Sequence, residues 1–335
     1  LAGIAADRVL LTAQEVPGDL EDLVSLGVQF NACSLHQLTT YGELFPGTEL
    51  GVRFNPGLGS GHSNRTNVGG PSASFGIWHA HLERTLEICE RFNLHVRLLH
   101  SHIGSGSDPI VWQRCARLTL GLVEHLKDVT TVSLGGGFKV GRMSGEASTD
   151  LIEAGEPVSA EFERYGRESG RQLRLEIEPG TFLVALAGCV IATVTDLVST
   201  GKKGYSFIKT DTGMTELLRP SLYGAQHPVV VVPPEGETRG TGEFLVVGHC
   251  CESGDVLTPE PGNPDGPLPR ALTAAEIGDA VCVGGSGAYC SSMSAKNYNS
   301  FPEAAEVLVT TAGSFREIRR RQTLEQIVTN EILIQ

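Results

Sequence analysis

The sequence has no metal-type Cys-x-x-Cys pair: its eight cysteines are scattered, and only Cys250 and Cys251 are neighbours. That spacing suits reduced thiols better than a disulfide framework or a zinc site, and it carries the expectation of a cytoplasmic protein. A long apolar run is missing too. The longest, Phe182 to Val194, falls short of the roughly 20 residues that span a bilayer, and no signal-peptide pattern is visible. Positive charge is in deficit as well. A formal net charge of −13 argues against nucleic acid and anionic membrane as partners, since both demand a basic surface. Low-complexity tracts and charge runs are absent. At 335 residues the chain is long enough for a full core and, by length, for two domains.

What is present is an alternation. Strands are expected at Arg8–Ala13, Val28–Ala32, Leu50–Asn55, Val96–Ile103, Val129–Leu134 and Leu173–Glu178. Helices are expected between them, at Leu20–Leu26, Leu35–Leu44, His79–Asn93, a segment carrying Trp112 to Leu126, and Ser159–Ser169. Strand-then-helix repetition implies a parallel sheet, and units of this length suggest a (β/α) barrel with active residues at the C-terminal strand ends. Six strands fall short of the eight that close such a barrel. Because the chain starts at Leu1, already inside the pattern, two further β/α units are expected upstream. From Phe182 onward strands take over, at Cys189–Asp196, Tyr205–Asp211, Val229–Val232, Phe244–Val247 and Ala280–Val283. Pro233–Gly242 and Pro259–Arg270 read as exposed loops. The fold class is therefore α/β: an incomplete barrel over residues 1–182, then a β-domain over 183–335 whose C-terminal segments return to the barrel. Near the end, Thr323-x-x-Gln326 resembles a capping box.

Several stretches carry candidate chemistry. Leu175-Glu-Ile-Glu178-Pro179-Gly180 puts a carboxylate at a strand end, where the architecture changes; a solvated glutamate is the plainer alternative. Gly135-Gly136-Gly137 after a strand lets backbone N–H groups approach an anion, or simply makes a tight turn. His100 and His102 share a strand face, but no third ligand supports a metal, and a ring contact or a buried hydrogen-bonded histidine fits better. In His249-Cys250-Cys251-Glu252-Ser253-Gly254-Asp255 the acidic neighbours raise thiol pKa values. That makes a proton donor conceivable and a nucleophile unsuitable, with a polar structural turn as the alternative. Arg219 and Tyr223 could grip a carboxylate or form a surface contact. Tyr289 sits in a small-residue loop, as a ligand contact or a packed ring.

In register, these stretches resemble the pyridoxal-phosphate decarboxylases of the alanine-racemase-like fold, and among them the diaminopimelate decarboxylase family. Arg53-Phe-Asn55-Pro-Gly57, Asn297-Tyr-Asn299 and Arg319-Arg-Arg-Gln-Thr323 fit the same pattern, so the likeness covers nearly the whole chain. The resemblance implies pyridoxal 5'-phosphate as cofactor, decarboxylation of meso-2,6-diaminopimelate to L-lysine and CO2, and a homodimer. It implies that Glu178 pairs with the ring nitrogen, with Pro179, Gly180 and Thr181 following it. Gly135, Gly136, Gly137, Ser105 and Tyr289 would hold the phosphate, and His102 would lie against the ring. Arg219, Tyr223, Glu252 and Tyr289 would bind substrate. Cys251 would return a proton to the carbanion, and Cys251 and Glu252 would serve the partner's site. Two departures stand out. Thr181 replaces the family's arginine, and the family's Schiff-base lysine matches none of Lys127, Lys139, Lys202, Lys203, Lys209 and Lys296. On that account this chain alone is expected to be inactive. A polyamine-precursor decarboxylase and a lysine-less regulatory relative are the alternatives; Glu252, where the former usually carries aspartate, favours diaminopimelate.

Overall fold

The computed structural model describes residues 2–59 and 68–334. It divides into two compact units, Leu1–Val140 with Ala147–Phe182, and Gly141–Glu146 with Leu183–Gln335. Each unit has its own apolar core.

The first unit is built on parallel strands β1 (Leu10–Leu11), β2 (Gln29–Ala32), β3 (Glu49–Asn55), β4 (Ile77–Trp78), β5 (His95–His100), β6 (Thr131–Ser133) and β7 (Arg174–Glu176). Six of them run in the order β1-β2-β3-β5-β6-β7, and short β4 adds to β3 off this path. Neighbours in that order are neighbours in sequence, as in a half barrel. Between them lie α1 (Leu20–Ser25), α2 (Leu35–Leu44), α3 (Leu82–Phe92), α4 (Pro109–Val123) and α5 (Leu151–Ser169). The helix starts are set locally. Ser34 accepts from Gln37 N at the start of α2, and Asp108 accepts from Ile110 N ahead of Pro109 in α4. Strand β3 is buried along almost its whole length, Arg53 and Asn55 included, as expected of a parallel strand covered on both faces. Phe54, Leu38, Leu99, Leu120 and Leu134 fill the core, and Trp112 stacks on Phe138 at 4.7 Å.

The expected α/β pattern is present, with two corrections. Most strands are shorter than their apolar stretches, because the C-terminal residues leave the ladder to form the site loops. Helix α5 starts at Leu151 rather than Ser159: Asp150 caps it by accepting from Ile152 N and Glu153 N, while Gly155 and Pro157 obscure its period in the sequence. Of the long loop 56–76, residues 60–67 lie outside the described residues.

The second unit carries β8 (Val190–Ser199), β9 (Ser206–Thr210), β10 (Val229–Val232), β11 (Thr241–Val247), β12 (Pro259–Glu260), β13 (Asn263–Pro267), β14 (Arg270–Thr273), β15 (Ala280–Val283), β16 (Glu306–Val309) and β17 (Phe315–Arg319). Its main sheet is mixed, in the order β10-β15-β8-β9-β11-β14, with β9 and β11 parallel. Val194, Ile208, Val246, Leu257 and Val281 pack beneath it. The stretch Pro259–Arg270, expected as a loop, forms the β12–β13 hairpin, because Gly262 at φ +74° lets the chain reverse within it. The Thr323–Gln326 capping box forms, but the helix it starts is a single turn, Leu324–Ile327. Among the described residues no helix is long and apolar enough to cross a membrane.

One ion-pair cluster ties α4 to α5. Buried Glu161 accepts from Arg117 Nη2 at 2.5 Å, Gln113 Nε2 at 3.0 Å and Arg164 Nη2 at 2.9 Å. Arg117 chiefly, with Arg164, holds the Glu161 carboxyl down at about 2. The same group in an unfolded chain titrates near ~4.3, so the cluster's contribution is present above that pH and lost as pH falls toward the folded value. Both arginines are substantially exposed, which limits the contribution to about 1–2 kcal/mol. Glu161→Gln is expected to lower Tm near neutrality and to leave the variant less sensitive to acid between about pH 4 and 2. Parallel melting curves of variant and parent across that range would contradict the assignment.

Candidate active site

The C-terminal strand ends of the first unit converge on Glu178. In the β6–β7 ladder Ser133 pairs with Glu176, so residues two positions beyond the strands, Gly135 and Glu178, come side by side. Glu178 N donates to Gly135 O at 2.9 Å. Ser133 Oγ donates to Glu178 Oε1 at 3.0 Å and accepts from Gly135 N at 3.2 Å. The carboxylate is thus fastened to the glycine turn twice, while its side chain stays 45% exposed. After it, Gly180 N donates back to Glu178 O at 2.9 Å, and the chain turns into helix α6 (Gly180–Val184), which carries Thr181.

The three glycines fit because they lack side chains. A methyl on Gly135 (φ +71°) would lie 2.6 Å from His102 Cγ. One on Gly136 would overlap the carbonyl of Glu178, and one on Gly137 (φ +104°) the carbonyl of Gly104. Ser105 is next to the last of these, its Cα 3.2 Å from the position such a methyl would take. Gly106 N donates to Gly137 O at 3.0 Å, while among the described residues no acceptor takes the N–H groups of Gly136 or Gly137. Such uncommitted amides form an anion cradle.

Around this turn the unit buries polar groups that sequence reasoning had not assigned. Arg53 is 7% exposed, and its Nη2 lacks a hydrogen-bond partner. Its guanidinium lies over the Phe75 ring, 5.2 Å to the centroid. Burial lowers its pKa, opposed by Cys33 and Glu178 close by. His102 Nδ1 is also without a partner, and burial, with Arg53, depresses that ring to about 4, so it is neutral. Burial likewise raises the pKa of Cys33. Asn55, which the sequence places at the same strand ends, has a different task. Its Oδ1 accepts from Gly57 N and Gly70 N at 3.1 and 2.9 Å, pinning the following loop.

The remaining candidates belong to the second unit. Arg219 opens α7 (Arg219–Tyr223) half-buried among Cys290, Tyr223 and Tyr289; its Nε has no partner, and among the described residues it forms no ion pair. Tyr289 is exposed at φ +56°, a conformation uncommon for a non-glycine residue. The segment 251–255 folds around Asp255, which is 2% exposed and accepts from Met214 N at 2.7 Å and Cys250 N at 3.0 Å. Cys251 and Glu252 are thereby turned outward, and Cys251 N is held by Asn299 Oδ1 at 2.9 Å. The thiol kept protonated is Cys250, pushed up to about 12 by burial and Asp255. Glu252 and Ser221 of α7 line one open cavity of ≈ 340 Å³, with Met214, Gly254, Ala295 and Tyr298.

The family model for pyridoxal-dependent decarboxylases, describing their pyridoxal-binding domain, matches residues 2–185. The chain is 37% identical to diaminopimelate decarboxylase of Escherichia coli (strain K12), over 98% of this chain and 78% of that one. The chain belongs to the diaminopimelate decarboxylase family. A Streptomyces coelicolor member is 38% identical over 93% of this chain and 70% of its own length. A crystal structure of diaminopimelate decarboxylase superposes with TM-score 0.89 at 36% identity, covering 97% of this chain and 77% of that one. The Helicobacter pylori enzyme in complex with L-lysine does so with TM-score 0.83 at 25% identity, covering 98% and 80%. The alternative of a polyamine-type decarboxylase is not favoured by this set.

Diaminopimelate decarboxylases use pyridoxal phosphate, and the residues of the first unit fit that group. The glycine turn has spare amides for a phosphate, the orphaned His102 and Arg53 atoms await partners, and Glu178 offers an anion to a cationic ring nitrogen. Among the described residues no hydrogen bond or ion pair joins a lysine to Glu178: Lys209 pairs with Asp196 and Lys296 with Glu303, Lys127, Lys202 and Lys203 are exposed, and Lys139 is half-buried. Gly135→Ala and Gly137→Ala are each expected to cost about 1–3 kcal/mol through strain at positive φ and overlap with neighbours. Each should also weaken pyridoxal phosphate binding. Unchanged Tm and affinity in both variants would remove the turn from the site.

Proposed function

We propose that this protein is a carboxy-lyase that removes one carboxyl group of meso-2,6-diaminopimelate as CO2 and leaves L-lysine. The observation that carries the reading is identity of 37% to a diaminopimelate decarboxylase over nearly the whole chain, combined with an acidic strand end fastened to a glycine turn. Pyridoxal phosphate, when bound, supplies the electron sink for the carbanion left by CO2 loss.

The chain's own groups divide the rest. Glu178 keeps a proton on the ring nitrogen by presenting a carboxylate to it. Amides of Gly135–Gly137, with Ser105 and Tyr289, would hold the phosphate, and the neutral His102 ring would meet the heterocycle without adding charge. Cys251 delivers the proton that replaces the lost carboxyl group. Diaminopimelate has an amino-acid group at each end, so its far end needs both an anion and a cation. Glu252 meets the distal ammonium; Arg219 and Tyr223 meet the distal carboxylate. As a homodimer, the protein would use Cys251 and Glu252 in the partner's site. The outward turn of both side chains, set by Asp255, supports that assignment.

In a protein that also carries a Schiff-base lysine, with pyridoxal phosphate supplied, CO2 and L-lysine release from meso-diaminopimelate is expected to exceed turnover of L-ornithine. Glu178→Gln should lower kcat by about a hundredfold or more, and Arg219→Ala should raise KM for diaminopimelate far more than for ornithine, which has a distal ammonium but no distal carboxylate. Faster turnover of ornithine would refute the substrate assignment.

A further inference from the structure

Behind Glu178 a line of buried polar groups crosses the sheet, from Thr12 just past β1 through Asn31 of β2 to His100, the last residue of β5. Asn31 is 0% and His100 1% exposed, and neither has a part in the function described above. Asn31 Nδ2 stands 3.2 Å from Thr12 Oγ1 and 2.9 Å from His100 Nδ1. The amide thereby uses both hydrogens, and His100 Nδ1 is an acceptor. In a neutral ring the proton then resides on Nε2, which stands 3.4 Å from Glu178 Oε1, too long for a hydrogen bond. The opposite amide orientation would put the Nε2 lone pair against a carboxylate oxygen, which is repulsive. Burial and the nearby Arg53 and His102 keep the ring neutral, lowering its pKa well below the usual histidine value. Asn31 Oδ1 fits where it does because Gly51 has no side chain: a methyl there would lie 2.7 Å away.

We propose that Asn31 is a positioning residue for the cofactor site. Through the His100 ring it aims an N–H at Oε1 of Glu178, so that Oε2 is presented to the ring nitrogen of pyridoxal phosphate. The proposal rests on the reading of Glu178 given above. Oε1 is already engaged by Ser133 Oγ at 3.0 Å, and among the described residues no hydrogen bond reaches Oε2. Ser133 holds this oxygen by a hydrogen bond and the His100 N–H faces it from 3.4 Å, a gap that closes to a hydrogen bond when the cofactor binds, so that the second oxygen points in a defined direction. A neutral donor does this without competing for the charge that the heterocycle needs. An imidazolium in its place would neutralise Glu178 and weaken its hold on the ring nitrogen.

Two measurements test it. Ring 15N chemical shifts of His100 in the cofactor-free protein are expected to show the neutral Nε2–H form. Asn31→Asp, which reverses the donor direction at Nδ1, is expected to move the proton to Nδ1. Binding of pyridoxal phosphate is then compared with its 1-deaza analogue, which has C–H in place of the ring nitrogen. The parent protein should prefer the natural cofactor. Asn31→Asp and His100→Leu should shrink that preference about tenfold, the worth of one hydrogen bond to a charged group. His100→Gln, which keeps an N–H near Oε1, should retain it. An Nδ1–H ring in the parent, or equal preference in parent and folded variants, would overturn the proposal. If the parent itself does not discriminate, the reading of Glu178 fails instead, and the ring 15N shifts still decide the relay. Should Asn31→Asp not fold, the parent shifts and the two His100 variants suffice.

Discussion

The bond between Glu178 N and Gly135 O, doubled by Ser133 Oγ, is the constraint on which the site depends. It joins the carboxylate that would face a cationic ring nitrogen to the turn whose amides would cradle the phosphate. Its geometry follows from strand register: Ser133 opposite Glu176 places residues 135 and 178 at equal heights beyond their strands. A slip of one residue in that ladder would send Glu178 to the other face of the sheet and part it from Ser133. The core beneath, with Leu134 and Val132 fully buried, fixes the register through packing. Packing energy distributed over the first unit is in this way converted into the placing of one carboxylate.

The second unit shows the same economy with a different hub. The acidic group in 251–255 with the most hydrogen bonds is Asp255, which is buried and organises Met214, Cys250 and the turn itself. Gly213 and Gly248 press so close to its carboxylate that neither could carry a side chain. Asn297 and Asn299, both in left-handed conformation, belong to the same construction: Asn299 holds Cys251 N and Asn297 binds Gln322. Motifs that read as chemistry in the sequence are therefore part scaffold. Cys251 and Glu252 face outward while Asp255 is turned in.

This division explains what the sequence reveals and what it hides. The alternation of strands and helices, the switch to β-structure after Phe182 and the glycine–glutamate pairing are local patterns, and a single chain displays them. Helix α5 hid its first two turns behind Gly155 and Pro157, and the β12–β13 hairpin hid behind prolines that are normally breakers. Arg53, Asn31 and Ser133 escaped assignment because each sits inside an apolar strand, where a polar residue looks like an interruption of the period. Their role depends on neighbours from other strands, and only the sheet order brings those together. A buried polar residue near the C-terminal end of a parallel strand was the available signal.

The cost of the arrangement is concentrated in the same places. Eight buried side-chain atoms among the described residues lack a hydrogen-bond partner. Four of them, on Asn31, Arg53, His100 and His102, surround Glu178 and the glycine turn; the other four are on Arg142, Arg219, Ser221 and His227 of the second unit. Each such group costs about 1–3 kcal/mol relative to a satisfied one. A fold selected for stability alone would replace them with apolar side chains, and the remainder of both cores is built that way. In the first unit the orphaned Arg53 Nη2 and His102 Nδ1 lie where an anionic phosphate and a polar heterocycle would complete them. The folding free energy forgone there is returned on binding, as affinity for a ligand that supplies the missing partners.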